Sequence, residues 1–166
     1  MERDALPSPA DRQGSVVTRS AAQTRALGRA LGAEALAGTV LALVGPLGAG
    51  KTQLAKGVAE GLGVTSVVNS PTFILMNEHA GRLRLFHADA YRLDDPEQAL
   101  AAGLFDERHA DGVSVVEWAD RLAGWLPAYR IDLVLDPDGE PDRRRISWRA
   151  RGAVHAQLAE RVLVGR

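Results

Sequence analysis

The stretch Thr39-Val40-Leu41-Ala42-Leu43-Val44-Gly45-Pro46-Leu47-Gly48-Ala49-Gly50-Lys51-Thr52 decides the fold. Its first six residues are β-branched or aliphatic and do not alternate with polar ones, which predicts a short strand buried on both faces of a parallel sheet. The next eight match the pattern G-x-x-x-x-G-K-[ST]. Beyond them Leu54, Ala55, Val58, Ala59 and Leu62 recur at helical spacing, and Gly61 and Gly63 close the run. In a strand, loop and helix of this kind, glycines let the backbone curl so that successive N–H groups face phosphate oxygens, and the helix adds its positive N-terminal end. Lys51 is expected to reach the β- and γ-phosphates and Thr52 to offer its hydroxyl to Mg²⁺. A chain of this composition produces such a match by accident only about twice in a thousand. Nucleoside triphosphate binding is therefore expected of Gly45, Pro46, Leu47, Gly48, Ala49, Gly50, Lys51, Thr52 and Gln53. A guanine-selective site usually carries Asn-Lys-x-Asp; the chain's lysines, Lys51 and Lys56, stand in no such sequence, so ATP is the expected nucleotide.

On either side of this core the pattern continues as α/β. Ser15-Val16-Val17 reads as a short strand, and Ala22, Ala26, Leu27, Ala30 and Leu31 as a helix stripe that Gly32 stops. Phe73–Met76 and Leu83–Phe86, separated by a polar, glycine-containing stretch, predict an antiparallel hairpin. Asp94-Asp95-Pro96-Glu97 opens a further helix, Val113–Val116 is a strand ending in Glu117, and Ile131–Leu135 is another. A turn at Asp136–Pro141, a strand near Ile146–Trp148 and a helix from about Ala153 complete the chain. The expected fold is that of a P-loop NTPase: a mostly parallel central sheet with antiparallel additions and helices on both faces.

Hydrolysis needs the metal held from a second side and a water aimed at phosphorus, so acids at strand ends are the candidates. Asp89 closes the run 83–89 and Glu117 the run 113–117. Glu117 follows the shorter strand, apolar but for Ser114, and is assigned the metal side, through a coordinated water; Asp89 is assigned to the attacking water, and an exchange of the two roles stays open. His87 lies two residues from Asp89 and shares its strand face, as a hydrogen-bonding neighbour of the site rather than a metal ligand. Ser70-Pro71-Thr72 stays open between a plain turn and a switch carrying Thr72 to the metal and γ-phosphate.

The 166 residues are 46% hydrophobic and 25% charged, with a formal net charge of -1. That length fits one domain, expected over residues 15–166 after a disordered extension at 1–14. No apolar run approaches the ~20 residues of a membrane span. Near-neutral charge disfavours general nucleic-acid binding. The chain has no cysteine, which excludes disulfides and thiolate chemistry and suits a cytoplasmic protein. Arg143-Arg144-Arg145 reads as the solvated flank of a turn, with contact to tRNA or an acidic partner as the alternative.

Four motifs in order resemble the TsaE (YjeE) family, ATPases of tRNA threonylcarbamoyladenosine biosynthesis. They are Gly-Pro-Leu-Gly-Ala-Gly-Lys-Thr at 45–52, Ser-Pro-Thr-Phe at 70–73, His-Ala-Asp-Ala-Tyr-Arg-Leu at 87–93 and Val-Glu-Trp-Ala-Asp at 116–120. The likeness runs from about Ser20 to Pro127, with Pro46 and Gln53 as mild departures that remove no ligand. It implies an ATPase, weak alone, that supports turnover of a TsaD–TsaB complex and reaches tRNA only through those partners. It also implies Thr52 and Glu117 at magnesium, Asp89 essential for hydrolysis, Thr72 in a nucleotide-sensing switch and Trp118 near the nucleotide. The competing expectation is a small P-loop kinase moving the γ-phosphoryl group to a metabolite, against which stands the lack of an arginine-rich lid sequence. A third is an interaction protein gated by ATP occupancy.

Overall fold

The computed structural model describes residues 7–69 and 76–165, built around a seven-stranded sheet. In chain order the strands are β1 (Arg12–Thr18), β2 (Val40–Val44), β3 (Met76–His79), β4 (Arg84–Asp89), β5 (Gly112–Glu117), β6 (Arg130–Asp138) and β7 (Glu140–Arg151). In space they lie in the order β1-β7-β6-β2-β5-β4-β3. The middle four, β6, β2, β5 and β4, pair in parallel. Antiparallel pairing adds β7 and then β1 at one side and β3 at the other. This is the expected P-loop α/β fold, with the parallel strands at its centre.

Among the described residues four α-helices flank the sheet: α1 (Ala21–Glu34), α2 (Lys51–Gly61), α3 (Pro96–Ala101) and α4 (Ala153–Val162). Side chains alternate across β2, so Leu41 and Leu43 enter a large core with Leu27, Leu31, Leu54, Val58 and Leu158 of α1, α2 and α4. Ala42 enters a smaller core on the opposite face with Ala99 of α3, Val116 and Leu122. The helix starts are chemically marked. Ser20 Oγ accepts from Gln23 N–H at 3.0 Å, and Asp95 Oδ1 from Glu97 N–H at 3.0 Å with Pro96 in the first turn. The N-terminal end of β2 is tied to α4, where Val40 N–H donates to Nε2 of the buried His155 at 3.1 Å.

Gly32 does not stop α1, which runs on to Glu34. Its task is to let α1 and α2 touch backbone to backbone: a Cβ at Gly28 would lie 2.2 Å from Leu54 O, at Gly32 2.1 Å from Val58 O, at Gly57 2.0 Å from Arg25 O and at Gly61 2.1 Å from Arg29 O. The four glycines form two i, i+4 pairs, one on each helix, facing each other across a seam. Arg25 and Arg29 of α1 both pair with Glu60 of α2 at its edge. Arg82 then satisfies the end of α1, its Nη2 donating to the carbonyls of Gly32 and Ala35 at 2.8 and 2.9 Å.

Three boundaries also differ from expectation. β1 starts at Arg12, so Arg12–Gly14 belong to the sheet, where they pair with Trp148–Ala150 of β7. These residues are exposed on an edge strand and none of them is a large apolar residue, which hides them from a hydrophobicity reading. The turn expected over Asp136–Pro141 is tighter, centred on Gly139 at φ 82°, and the strands it joins are longer. The first strand of the hairpin is Met76–His79, with Phe73–Leu75 outside the described residues. No helix among the described residues is long and apolar enough to cross a membrane.

Candidate functional site

The parallel strands β2, β4 and β5 end side by side, and their C-terminal ends open on one cleft of about 410 Å³. Open parallel sheets present ligands at this edge. The loop after β2 supplies Leu47, Gly48, Ala49 and Gly50; the first turn of α2 supplies Lys51, Thr52 and Gln53; β4 and β5 bring Asp89 and Glu117, followed by Tyr91 and Trp118. Gly45 and Pro46 do not line the cleft but close the loop behind it. The loop needs glycine physically. Gly48 and Gly50 have φ of 76° and 103°, and a Cβ at Gly45 would stand 2.4 Å from Leu135 O.

Lys51 is buried at the mouth of the loop, its Nζ donating to Gly45 O at 2.5 Å and Pro46 O at 2.8 Å. Burial holds its ammonium below the usual lysine range, opposed by the carboxylates of Glu117, Asp89 and Asp120. Trp118 covers it, with Nζ 4.1 Å from the ring centroid. To do this Trp118 sits at φ 57°, ψ 41°, a left-handed backbone uncommon for a bulky residue, which turns the chain back over the cleft straight after Glu117. Tyr91 packs against its ring at 4.7 Å. These rings make the cleft's apolar wall.

Glu117 continues the face of β5 that carries Val113 and Val115 into the large core, so its carboxylate is buried beneath α2. One oxygen, Oε1, accepts from Thr52 Oγ1 at 2.8 Å; the other, Oε2, is 2.6 Å from Nε2 of the fully buried His87. The expected hydrogen-bonding role of His87 is thus met by a contact to the acid itself, since β4 and β5 are in register at His87 and Val115 and at Asp89 and Glu117. Asp89 lies beside Glu117 at the strand ends, half-buried, its Oδ1 accepting from Tyr91 N–H at 2.9 Å. Burial pushes the Asp89 carboxyl above the usual aspartate range, against the lowering pull of the Tyr91 N–H bond.

The donor set suits a hard divalent cation: a threonine hydroxyl and two carboxylates at one place supply oxygen only, as Mg²⁺ prefers, and Mg²⁺ needs few protein ligands because water and phosphate fill its shell. The loop's N–H groups, Lys51 and the α2 N-terminus suit a polyphosphate. Of the residues expected in the site, Thr72 lies outside the described residues. Tyr91 and Arg144 were not expected there. Arg144 of β7 donates from Nε to Ala49 O at 3.0 Å and from Nη2 to Gly48 O at 2.9 Å. It is half-buried against the loop, which corrects its reading as a solvated turn flank. Nothing near the loop in sequence marks it, since the contact spans 95 residues or more.

The family model described as "Threonylcarbamoyl adenosine biosynthesis protein TsaE" matches residues 18–146. The chain belongs to the TsaE family. It is 43% identical over 139 residues to the tRNA threonylcarbamoyladenosine biosynthesis protein TsaE of Bacillus subtilis, covering 83% of this chain and 86% of the relative. It is 41% identical over 119 residues to TsaE of Treponema pallidum, covering 72% and 88%. The crystal structure of Bacillus subtilis YdiB superposes with a TM-score of 0.78 at 36% identity, over 92% of this chain and 95% of that one. Three of the four motifs that carried the resemblance, at 45–52, 87–93 and 116–120, contribute residues to the cleft. The TsaE match extends past Pro127 to residue 146 and so takes in Arg144.

Proposed function

We propose that this TsaE-family protein binds ATP with Mg²⁺ and hydrolyses it, weakly alone and faster when docked to a TsaD–TsaB complex that forms threonylcarbamoyladenosine in tRNA. Family membership assigns the chain to threonylcarbamoyladenosine biosynthesis. The ATPase reading rests above all on Thr52 Oγ1 meeting Glu117 Oε1 at 2.8 Å in the cleft that Lys51 and Asp89 also line.

Each group has a task in this reading. The loop from Gly45 to Gly50 and the N-terminus of α2 bind the phosphates through backbone N–H groups, and Lys51 neutralises them. Thr52 and Glu117 would hold Mg²⁺, which when bound supplies charge neutralisation at the β- and γ-phosphates. His87 orients the Glu117 carboxylate from behind, and Asp89 orients the attacking water. Trp118 and Tyr91 exclude solvent from the Lys51 side. With its near-neutral charge the protein reaches tRNA through its partners, in the cytoplasm.

Phosphate release from MgATP by the protein alone and with TsaB and TsaD, with Lys51→Ala as the blank, tests the reading. Slow release alone, a rise with the partners and restored multiple-turnover tRNA modification are expected. No release above the blank under either condition would defeat the ATPase assignment, and a phosphorylated metabolite in place of free phosphate would favour a kinase.

A further inference from the structure

We infer that Arg144 is a positioning residue for the phosphate loop, acting from β7 on the backbone of Gly48 and Ala49 without touching the nucleotide. This deepens the ATP reading of the cleft and rests on it. Residues of a strand alternate between faces, and Arg144 points opposite to its neighbours. Arg143 and Arg145 both pair with Asp138, at 3.0 and 3.8 Å, at the β6–β7 turn. Arg144 alone is directed at the loop.

Its guanidinium is held in two directions. Nη1 donates to Pro141 O at 2.6 Å and to Arg143 O at 2.9 Å, which fixes the group to the hairpin, while Nε and Nη2 grip Ala49 O and Gly48 O. The N–H and C=O of a trans peptide point in opposite directions. Anchoring the Gly48 and Ala49 carbonyls on β7 therefore turns the N–H groups of Ala49 and Gly50 the other way, into the loop, where Ala49 N–H already meets Pro46 O at 3.1 Å. Two glycines of the loop have left-handed φ and no side chain to hold them, so an external brace is needed to keep one conformation. The fork suits this task because its rigid plane grips two loop carbonyls and two hairpin carbonyls at once, four bonds that the three donors of an ammonium cannot make.

The test is displacement of a fluorescent ATP analogue by MgATP and by magnesium tripolyphosphate, well below the unfolding temperature, for wild type, Arg144→Ala, Arg144→Lys and Lys51→Ala. Thermal unfolding of each protein without ligand runs alongside. Both Arg144 variants are expected to bind the two competitors about tenfold more weakly, by a common factor, with the ligand-free unfolding temperature lowered by only a few degrees and the protein fully folded at the assay temperature. Full rescue by Arg144→Lys would overturn the proposal by showing that charge alone suffices, and so would a loss for MgATP that spares tripolyphosphate. A loss that merely tracks the unfolded fraction would also overturn it. If Arg144→Ala does not fold, Arg144→Lys decides by the same criteria. Wild-type protein that binds no better than Lys51→Ala would instead defeat the ATP reading itself.

Discussion

Replacing His155 with Gln is expected to remove about 2 kcal/mol of the stability that the protein otherwise loses between pH 8 and pH 5. His155 is buried on α4, and its Nε2 accepts from Val40 N–H, so the ring proton sits on Nδ1 and the neutral form is the one that fits. Burial lowers its pKa from 6.5 to about 4. A depressed folded-state value means that the unfolded chain takes up a proton first as the pH falls. Stability from this group is therefore complete above pH ~6.5, declines below it and levels off below pH ~4, for a total of about 3 kcal/mol. Gln keeps an acceptor for Val40 N–H but does not titrate. Urea unfolding of both proteins at pH 8, 7, 6 and 5 gives two stability curves whose separation should narrow by ~2 kcal/mol toward pH 5. All other titrating groups are common to both proteins and cancel in the difference. Parallel curves would refute the reasoning, as would an NMR titration placing His155 near its ordinary value in the folded state.

The helix seam and the acids give further expectations. Gly57→Ala should cost more than about 3 kcal/mol in urea unfolding, because its Cβ would stand 2.0 Å from Arg25 O and the helices must part. Gly63→Ala, with φ 74° but nothing within 4 Å, should cost only about 1 kcal/mol from the backbone alone, and equal losses would contradict the seam. Asp89→Asn should leave MgATP affinity within about threefold of wild type and lower partner-stimulated phosphate release about a hundredfold, and a matching loss of affinity would make its role structural.

Much of the site was readable in the sequence because its parts are local or periodic. The loop is one contiguous motif, the acids stand at the ends of strand-like runs, and the cap at Asp95 sits where a short polar side chain meets a helix start. His87 and Asp89 could be placed on one face because strand period is fixed. What escaped depends on register between distant strands or on close backbone approach. Arg144 reaches the loop only because β7 lies beside β6 with Pro137 opposite it. Tyr91 gains a role only once Trp118 takes its left-handed turn. Gly32 has the local look of a helix stop, and only the neighbouring helix shows otherwise.

The glycine seam bears on how any mutational survey of this protein should be read. Gly28, Gly32, Gly57 and Gly61 tolerate no side chain, so they will score as intolerant as Gly45 or Gly50 although none of them lines the cleft. Sensitivity at these positions reports a steric lock between two rods, one of which starts with Lys51 and Thr52. Changes there would displace the ligand-bearing end of α2 as a whole and imitate a binding defect. Only a stability measurement made beside the binding measurement separates the two kinds of glycine.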